Sequence, residues 1–218
     1  MALAKHFTEM YLLGVLGILP VVNPFSTIPV LLALTPNATP QERSRDVRRA
    51  SIYASMILLG SLFIGSLVIQ FFGISLEALR IAGGLVISII GLRMLFPNQG
   101  ASIASDPLDG KGTMDIALIP LAMPSLSGPG SIAIVITEST RLFSTPGIMA
   151  KIMGVAAVSV SIITVGIICW AVLRSSNRIA DLLGDYGIES IKKFMGFLLI
   201  CIGVQHIASG IQQFFASV

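Results

Sequence analysis

Long apolar segments run along the chain, each separated from the next by a short polar stretch. A helix needs about 20 apolar residues to cross the hydrocarbon core of a bilayer. Six segments meet this length, at about 10–34, 51–72, 76–96, 116–137, 152–173 and 194–215. The pattern therefore predicts an all-α, polytopic membrane protein with six transmembrane helices, forming a single membrane domain over residues 1–218.

The first apolar segment contains three prolines, at positions 20, 24 and 29. Each proline removes a backbone N–H donor, and its ring crowds the carbonyl four residues before it. Asn23 suits the N-cap of a helix, and Pro24 suits the first helical position. We therefore predict a helix that breaks near the middle of the membrane and starts again, with Asn23, Ser26 and Thr27 at the break.

A second proline triplet with the same spacing lies one hundred positions later, at 120, 124 and 129. Glycines repeat as well, because Gly84 and Gly91 are seven apart in the third segment, as are Gly196 and Gly203 in the sixth. These matches predict an internal duplication with broken helices one and four. Repeat one covers about 8–97, a linker about 98–113, and repeat two about 114–216.

An odd number of spans in each repeat makes the two halves enter the membrane from opposite sides. This is the inverted 3+3 plan of many secondary transporters. Ten of the fourteen lysines and arginines lie in the connections after segments one, three and five, and four lie on the other side. The positive-inside rule places the richer side in the cytoplasm, which predicts that both termini are periplasmic.

The amino-acid composition of the chain indicates its environment and the kinds of partner it can bind. Only 11% of the residues are charged and 54% are hydrophobic, whereas a soluble domain carries about 25% charged residues. The lipid bilayer is therefore the expected environment. No basic patch with interleaved aromatic residues indicates nucleic acid. Cys169 and Cys201 lie in apolar segments, and we expect them to be packed as free thiols.

No motif predicts an enzyme or a cofactor. The chain has no phosphate-binding loop, no HExxH and no clustered His and Cys ligands, and its carboxylates lie outside the interiors of the apolar segments. His206 is the one imidazole inside an apolar segment. We interpret it first as a packed histidine, with proton transfer or substrate contact as the alternative.

The broken helices are the candidate functional site. Unpaired backbone groups in hydrocarbon cost several kcal/mol each, so they persist only when buried in protein or lining a polar cavity. The N-terminus of a half-helix suits a carboxylate, and free carbonyls suit an ammonium group or Na⁺. A small zwitterionic amino acid matches both, although kinking for packing alone is the alternative. The predicted substrate-binding residues are Asn23, Pro24, Ser26, Thr27, Pro29, Ser125, Ser127, Gly128, Pro129 and Gly130.

Two further groups of residues receive structural interpretations. The small residues of segments three and six predict close helix packing: Gly83, Gly84, Ser88, Gly91, Gly196 and Gly203. The arginines at 43, 45, 48 and 49 are interpreted as a topology signal that contacts lipid headgroups, with a substrate funnel as the alternative.

The chain resembles the MarC family of bacterial inner-membrane proteins over nearly its full length. The matching stretches are 22–29, 72–75, 79–84, 91–97, 120–124, 127–130 and 194–199. The resemblance implies a multi-pass inner-membrane protein, and a related archaeal branch transports glycine and other small neutral amino acids. By that similarity, the loops around Asn23 and Gly128 would hold the substrate.

The leading hypothesis is a secondary transporter or exporter of small neutral solutes, in particular amino acids, with H⁺ or Na⁺ as candidate coupling ions. A lysine-exporter-like efflux protein is the rival within transport. A structural or envelope-assembly protein and an intramembrane enzyme are rivals from other classes. A polar cavity between the two proline segments would favour transport, whereas a solidly packed interior would favour assembly. The oligomeric state is left open.

Overall fold

The computed structural model describes residues 2–35, 38–96, 122 and 126–216. Over these residues the protein is all helical and contains no strand, which confirms the all-α part of the predicted fold class. The seven helices are α1 (Ala2–Val22), α2 (Pro24–Leu34), α3 (Pro40–Phe71), α4 (Leu76–Leu95), α5 (Pro129–Ser144), α6 (Ile148–Arg174) and α7 (Ser176–Ala216).

Five stretches of the described chain are long and apolar enough to cross a membrane: Lys5–Leu32, Pro40–Phe71, Leu76–Leu95, Ile148–Arg174 and Tyr186–Ala216. The first of them contains both α1 and α2. The predicted fourth segment, at 116–137, lies partly outside the described residues, and its described part leads into α5. The described chain therefore has the helix lengths and composition of a multi-pass membrane protein, while the count of six spans stays a prediction.

The sequence pattern predicts a polar loop over residues 35–49, and this is wrong for its second part, because helix α3 begins at Pro40. Thr39 is the N-cap, and its Oγ1 accepts a hydrogen bond from the Glu42 N–H at 3.3 Å. The Glu42 carboxylate in turn accepts from the Thr39 N–H at 2.9 Å. This capping box starts the helix at Pro40, in sequence that is too polar for the bilayer. At 32 residues, α3 is about 48 Å long and extends beyond the hydrocarbon core.

The polar stretch between apolar segments five and six, at 174–193, is also largely helical. Helix α7 begins at Ser176, directly after the turn at Ser175. It changes direction at Gly184, where φ is 61° and ψ is 179°. Only glycine adopts this backbone conformation without strain. The kink separates a short helix, which lies in this polar stretch, from the long membrane helix that follows.

Helices α4 and α7 are antiparallel, and their backbones touch at paired glycines. A Cβ atom at Gly84 would lie 2.5 Å from the Gly203 carbonyl oxygen. A Cβ atom at Gly91 would lie 2.6 Å from the Gly196 carbonyl oxygen. Neither position can hold a side chain unless the helices separate. The predicted packing role of these small residues is confirmed.

Polar side chains join the remaining helices inside the bundle. The Tyr11 hydroxyl of α1 donates to Thr164 Oγ1 of α6 at 3.2 Å, and Ser161 Oγ of α6 donates to the Tyr11 carbonyl at 2.9 Å. Ser139 Oγ of α5 donates to the Leu62 carbonyl of α3. Such bonds hold helices together where hydrophobic burial gives no preference between lipid and protein. Both cysteines are free thiols. Cys169 is buried as predicted, whereas Cys201 is exposed, so its predicted packing is wrong.

Candidate functional site

The first interruption lies at Asn23, between α1 and α2. Its φ of 42° and ψ of 73° are in the left-handed region, and it is the one non-glycine residue with positive φ among the described residues. Its side-chain oxygen accepts from the Ser26 N–H at 3.4 Å, and Pro24 occupies the first turn of α2. Asparagine tolerates this conformation because its short side chain bonds locally. The predicted break and restart are confirmed at this residue.

The end of α1 leaves carbonyl groups without their usual helical donors. Helix α1 continues through Pro20 to Val22, and the Asn23 N–H donates to the Leu19 carbonyl at 3.0 Å. Pro24 has no N–H to offer the Pro20 carbonyl. The Ser26 N–H, which would normally bond the Val22 carbonyl, instead lies 3.2 Å from the Asn23 carbonyl oxygen. The interruption therefore places acceptor groups at the junction of two helices.

The second interruption lies just before α5. The Ser127 N–H donates to the Ala122 carbonyl at 2.9 Å, five residues back, and Ser127 Oγ donates to the same carbonyl at 2.9 Å. Gly128 follows with φ −69° and ψ 172°, an extended conformation, and serves as the N-cap of α5. Pro129 is the first helical residue. The predicted Pro120 and Pro124 of this triplet lie outside the described residues.

The two restarts share one local geometry. In both, a proline follows the N-cap, and a serine two residues later donates its hydroxyl to the N-cap carbonyl. Ser26 Oγ is 2.9 Å from the Asn23 carbonyl oxygen, and Ser131 Oγ is 2.9 Å from the Gly128 carbonyl oxygen. The N-caps at Asn23 and Gly128 are 105 positions apart, not the 100 that separates the proline triplets. The structural match therefore follows the N-cap, proline and serine rather than the proline spacing.

Helix α4 contacts both interruptions. A Cβ atom at Gly130, in the first turn of α5, would lie 3.1 Å from Ile87 Cγ1 and 3.3 Å from Val21 Cγ1. Asn23 Nδ2 lies 3.7 Å from the Met94 sulfur, a distance at which sulfur is a weak acceptor. The structure thus brings the two restarts to the same stretch of α4. Sequence reasoning did not identify Ile87 and Met94, although their spacing of seven residues places them on one helix face.

The predicted substrate-binding residues differ in exposure. Three polar ones are almost fully buried, with exposed fractions of 3% for Asn23, 1% for Thr27 and 0% for Ser127. The Thr27 hydroxyl has no hydrogen-bond partner among the described residues. Of the others, Pro24 and Gly130 are buried, Ser26, Pro29 and Gly128 are half-buried, Pro129 is exposed, and Ser125 lies outside the described residues.

A small cavity lies between α3 and α6, beside the first interruption. Its volume is about 10 Å³, which is room for about one water molecule. It is lined by Val22 from α1, by Ser51, Ala54, Ser55 and Leu58 from α3, and by Ile162, Val165, Gly166 and Cys169 from α6. The Ser51 hydroxyl is buried and has no hydrogen-bond partner among the residues that the structure describes. A polar atom in this position is suited to binding a water molecule or another small polar group.

His206, the histidine considered from sequence, lies on α7. Its side chain is half-buried, and its Nε2 atom has no hydrogen-bond partner in the described part of the chain. Within that same part, no group of three or more His, Cys, Asp or Glu residues is arranged to hold a metal ion.

Long apolar helices with interruptions inside the bundle define an all-helical, multi-pass integral membrane protein. More narrowly, the chain belongs to the MarC family, because the profile described as "MarC family integral membrane protein" matches residues 8–215. The protein of Escherichia coli K12 called UPF0056 inner membrane protein MarC is 41% identical over 207 residues, covering 92% of this chain and 93% of that protein. The protein of the same name from Shigella flexneri has the same identity and coverage, 41% over 207 residues. No solved structure matches the chain.

Proposed function

We propose that this MarC-family protein is a secondary transporter or exporter of small neutral solutes, with amino acids as the substrate class. The observation that supports it is the pair of restarts inside the bundle. Each has a proline in the first turn and a serine closing on the N-cap carbonyl, and both contact α4. Backbone of this kind is costly in a membrane, so its presence twice suggests a use beyond kinking.

The chemistry of the two restarts suits a zwitterion. The first N–H groups of α2 and α5 have no helical carbonyl to bond, and the helix dipole adds partial positive charge there. A substrate carboxylate is the natural ligand for such an end. The carbonyls of Pro20 and Val22 lack their usual helical donors and would accept from an ammonium group. The hydroxyl of Thr27, which is buried and unpaired, adds a further polar contact.

The proposal includes the inverted architecture. Repeat one at about 8–97 and repeat two at about 114–216 would each supply three of six spans, with the linker at about 98–113 between them. Helices α4 and α7 would be the third spans of the two repeats. Their antiparallel contact, with Gly84 on Gly203 and Gly91 on Gly196, is the arrangement expected for equivalent helices inserted in opposite directions. Both termini would then be periplasmic, with H⁺ or Na⁺ as the coupling ion.

The test is uptake of labelled glycine and alanine by proteoliposomes. Wild-type protein is expected to transport at least one of them, and Asn23→Ala and Gly128→Ala are expected to lower the initial rate at least tenfold. Gly60→Ala is the matched control, because nothing lies within 4 Å of a Cβ atom at Gly60. Wild-type rates in both Asn23→Ala and Gly128→Ala would overturn the proposed site.

An envelope-assembly role is the second candidate, and one observation favours it. The first turn of α5 is packed against apolar side chains, since Gly130 faces Ile87, Val21 and Ile90. Such packing needs no solute. A thermal-shift screen against amino acids separates the two roles, because a ligand that binds only the folded protein raises its melting temperature by mass action. An assembly protein would show no shift with any of them.

A further inference from the structure

Arg43 joins two distant parts of the chain at one end of the bundle. Its Nε donates to Thr35 Oγ1 at 2.9 Å, and its Nη2 donates to the Thr35 carbonyl at the end of α2. Its Nη1 donates to Asn177 Oδ1 at 2.7 Å, in the first turn of α7. The planar guanidinium of arginine holds its N–H donors in a fixed, forked arrangement and can make these bonds together. The ammonium group of lysine has no such arrangement.

A second arginine makes a similar link beside the first. Arg174, the last residue of α6, donates from Nη1 to Ser44 Oγ of α3 at 3.0 Å. Its guanidinium also lies 5.3 Å from the centre of the Trp170 ring, a cation–π contact. We call Thr35, Arg43, Ser44, Arg174 and Asn177 the arginine clamp. The clamp ties together the ends of α2, α3, α6 and α7.

The clamp lies at one end of α3 and α6, the two helices that supply most of the cavity lining. Ser51 is seven residues after Ser44 on α3, which is about 10 Å along the helix axis. Cys169 is five residues before Arg174 on α6, which is about 7.5 Å. Ser51 and Cys169 both line the cavity, as does Val22 beside the first interruption. Along α3 and α6, the clamp therefore lies nearer the end of the bundle than the cavity, and the cavity adjoins the first helix break at Val22.

We infer that this cavity is the inner end of a solute passage to the arginine-rich side of the membrane, and that the arginine clamp closes the passage. The inference rests on the proposed transport function, and it assigns the arginine clamp as the gate of the transport site. The proposed passage accounts for the unpaired Ser51 hydroxyl, because this hydroxyl would face water or solute when the passage is open. The small volume is explained as well, because the described conformation is the closed one.

The chemical reactivity of the Cys169 thiol reports whether the passage is open. In a Cys201→Ser background it is the only thiol, since the chain has two cysteines. Its rate of modification by N-ethylmaleimide is measured by mass spectrometry in folded protein. Wild-type protein is expected to react slowly, because the cysteine is buried below the clamp. Arg43→Ala and Asn177→Ala are expected to react at least tenfold and threefold faster, respectively.

Arg45→Ala is the matched control, because Arg45 lies on the same turn of α3 with its side chain 56% exposed and its Nε 3.9 Å from the Asp46 carboxylate. It removes the same charge and should leave the rate within twofold of wild type. Arg43→Lys, which keeps the charge but not the fork, should react nearly as fast as Arg43→Ala. Equal rates in Arg43→Lys and wild type would overturn a role for the fork.

The side of access separates gate opening from general loosening. A charged, impermeant methanethiosulfonate should modify Cys169 of the clamp variants from the arginine-rich side only, in inside-out but not right-side-out vesicles. Modification from both sides, or at wild-type rate in every clamp variant, would overturn the inference. If Arg43→Ala does not fold, Asn177→Ala and Arg174→Ala decide. Labelling needs no substrate, so failed uptake by wild-type protein would refute the transport proposal and leave this result standing.

Discussion

The left-handed backbone of Asn23 allows the role of conformation to be separated from the role of the side chain. Three substitutions test it. Asn23→Gly keeps the conformation and loses the amide, Asn23→Ala loses both, and Asn23→Asp keeps an acceptor for the Ser26 N–H while adding a charge. The comparison between glycine and alanine isolates the backbone, because neither side chain can bond Ser26.

The expected magnitudes follow from the geometry. A residue with a Cβ atom in the left-handed region costs about 1–2 kcal/mol, which glycine avoids. Loss of an N-cap acceptor costs about 0.5–2 kcal/mol when alanine replaces it. The lower end applies at Asn23, because the hydrogen bond to the Ser26 N–H is long at 3.4 Å. Asn23→Ala should therefore lose about 2 kcal/mol of unfolding free energy, and Asn23→Gly about 0.5 kcal/mol, since glycine N-caps cost only a few tenths.

The assay is reversible unfolding of the purified variants in mixed micelles, followed by uptake in proteoliposomes. A gap of about 1.4 kcal/mol between Asn23→Ala and Asn23→Gly is a tenfold change in the unfolding equilibrium constant. Equal stability of these two variants would refute the reasoning that the backbone conformation fixes the break. If the amide contacts the solute, Asn23→Gly will fold normally and still fail to transport.

Four further predictions concern packing and topology. Gly84→Ala should lower the melting temperature, because its Cβ atom would meet the Gly203 carbonyl at 2.5 Å and overpacking costs about 1–3 kcal/mol. Gly60→Ala, with open space around it, should match or exceed wild type, and a lower melting temperature there would point to helix distortion instead. Ser139→Ala should cost about 1 kcal/mol by removing its hydrogen bond to the Leu62 carbonyl, and an unchanged unfolding curve would show that this bond is not needed. Alkaline phosphatase fused to the C-terminus should be active, as expected for a periplasmic end, whereas activity only in a fusion at the connection between α2 and α3 would reverse the predicted orientation.

Local chemistry made the first interruption predictable. An asparagine suited to capping stands directly before a proline suited to the first helical turn, so the break at Asn23 needs no distant contact. The early start of α3 was equally available from Thr39 and Glu42, the two members of its capping box. Apolar length alone does not predict it, because a capped helix can begin in polar sequence outside the membrane.

Contacts between distant parts of the chain were not predictable in this way. Arg43 was interpreted as a topology signal, and its bond to Asn177 joins residues 134 positions apart. The contact of Gly130 with Val21 and Ile87 likewise depends on how three helices cross. The glycine pairs are an intermediate case. Their spacing of seven identified a packing face, but only the coordinates show which glycine meets which carbonyl.

The direct backbone contact between α4 and α7 limits how this protein can move. Side chains that interlock can change rotamer and let two helices slide, but Gly84 and Gly203 have no side chains with which to do so. Sliding of α4 along α7 at these glycine contacts would bring the two main chains into steric overlap. We therefore expect α4 and α7 to move together as one rigid unit. Helices α1, α2 and α5 would then move relative to that unit whenever the bundle changes conformation.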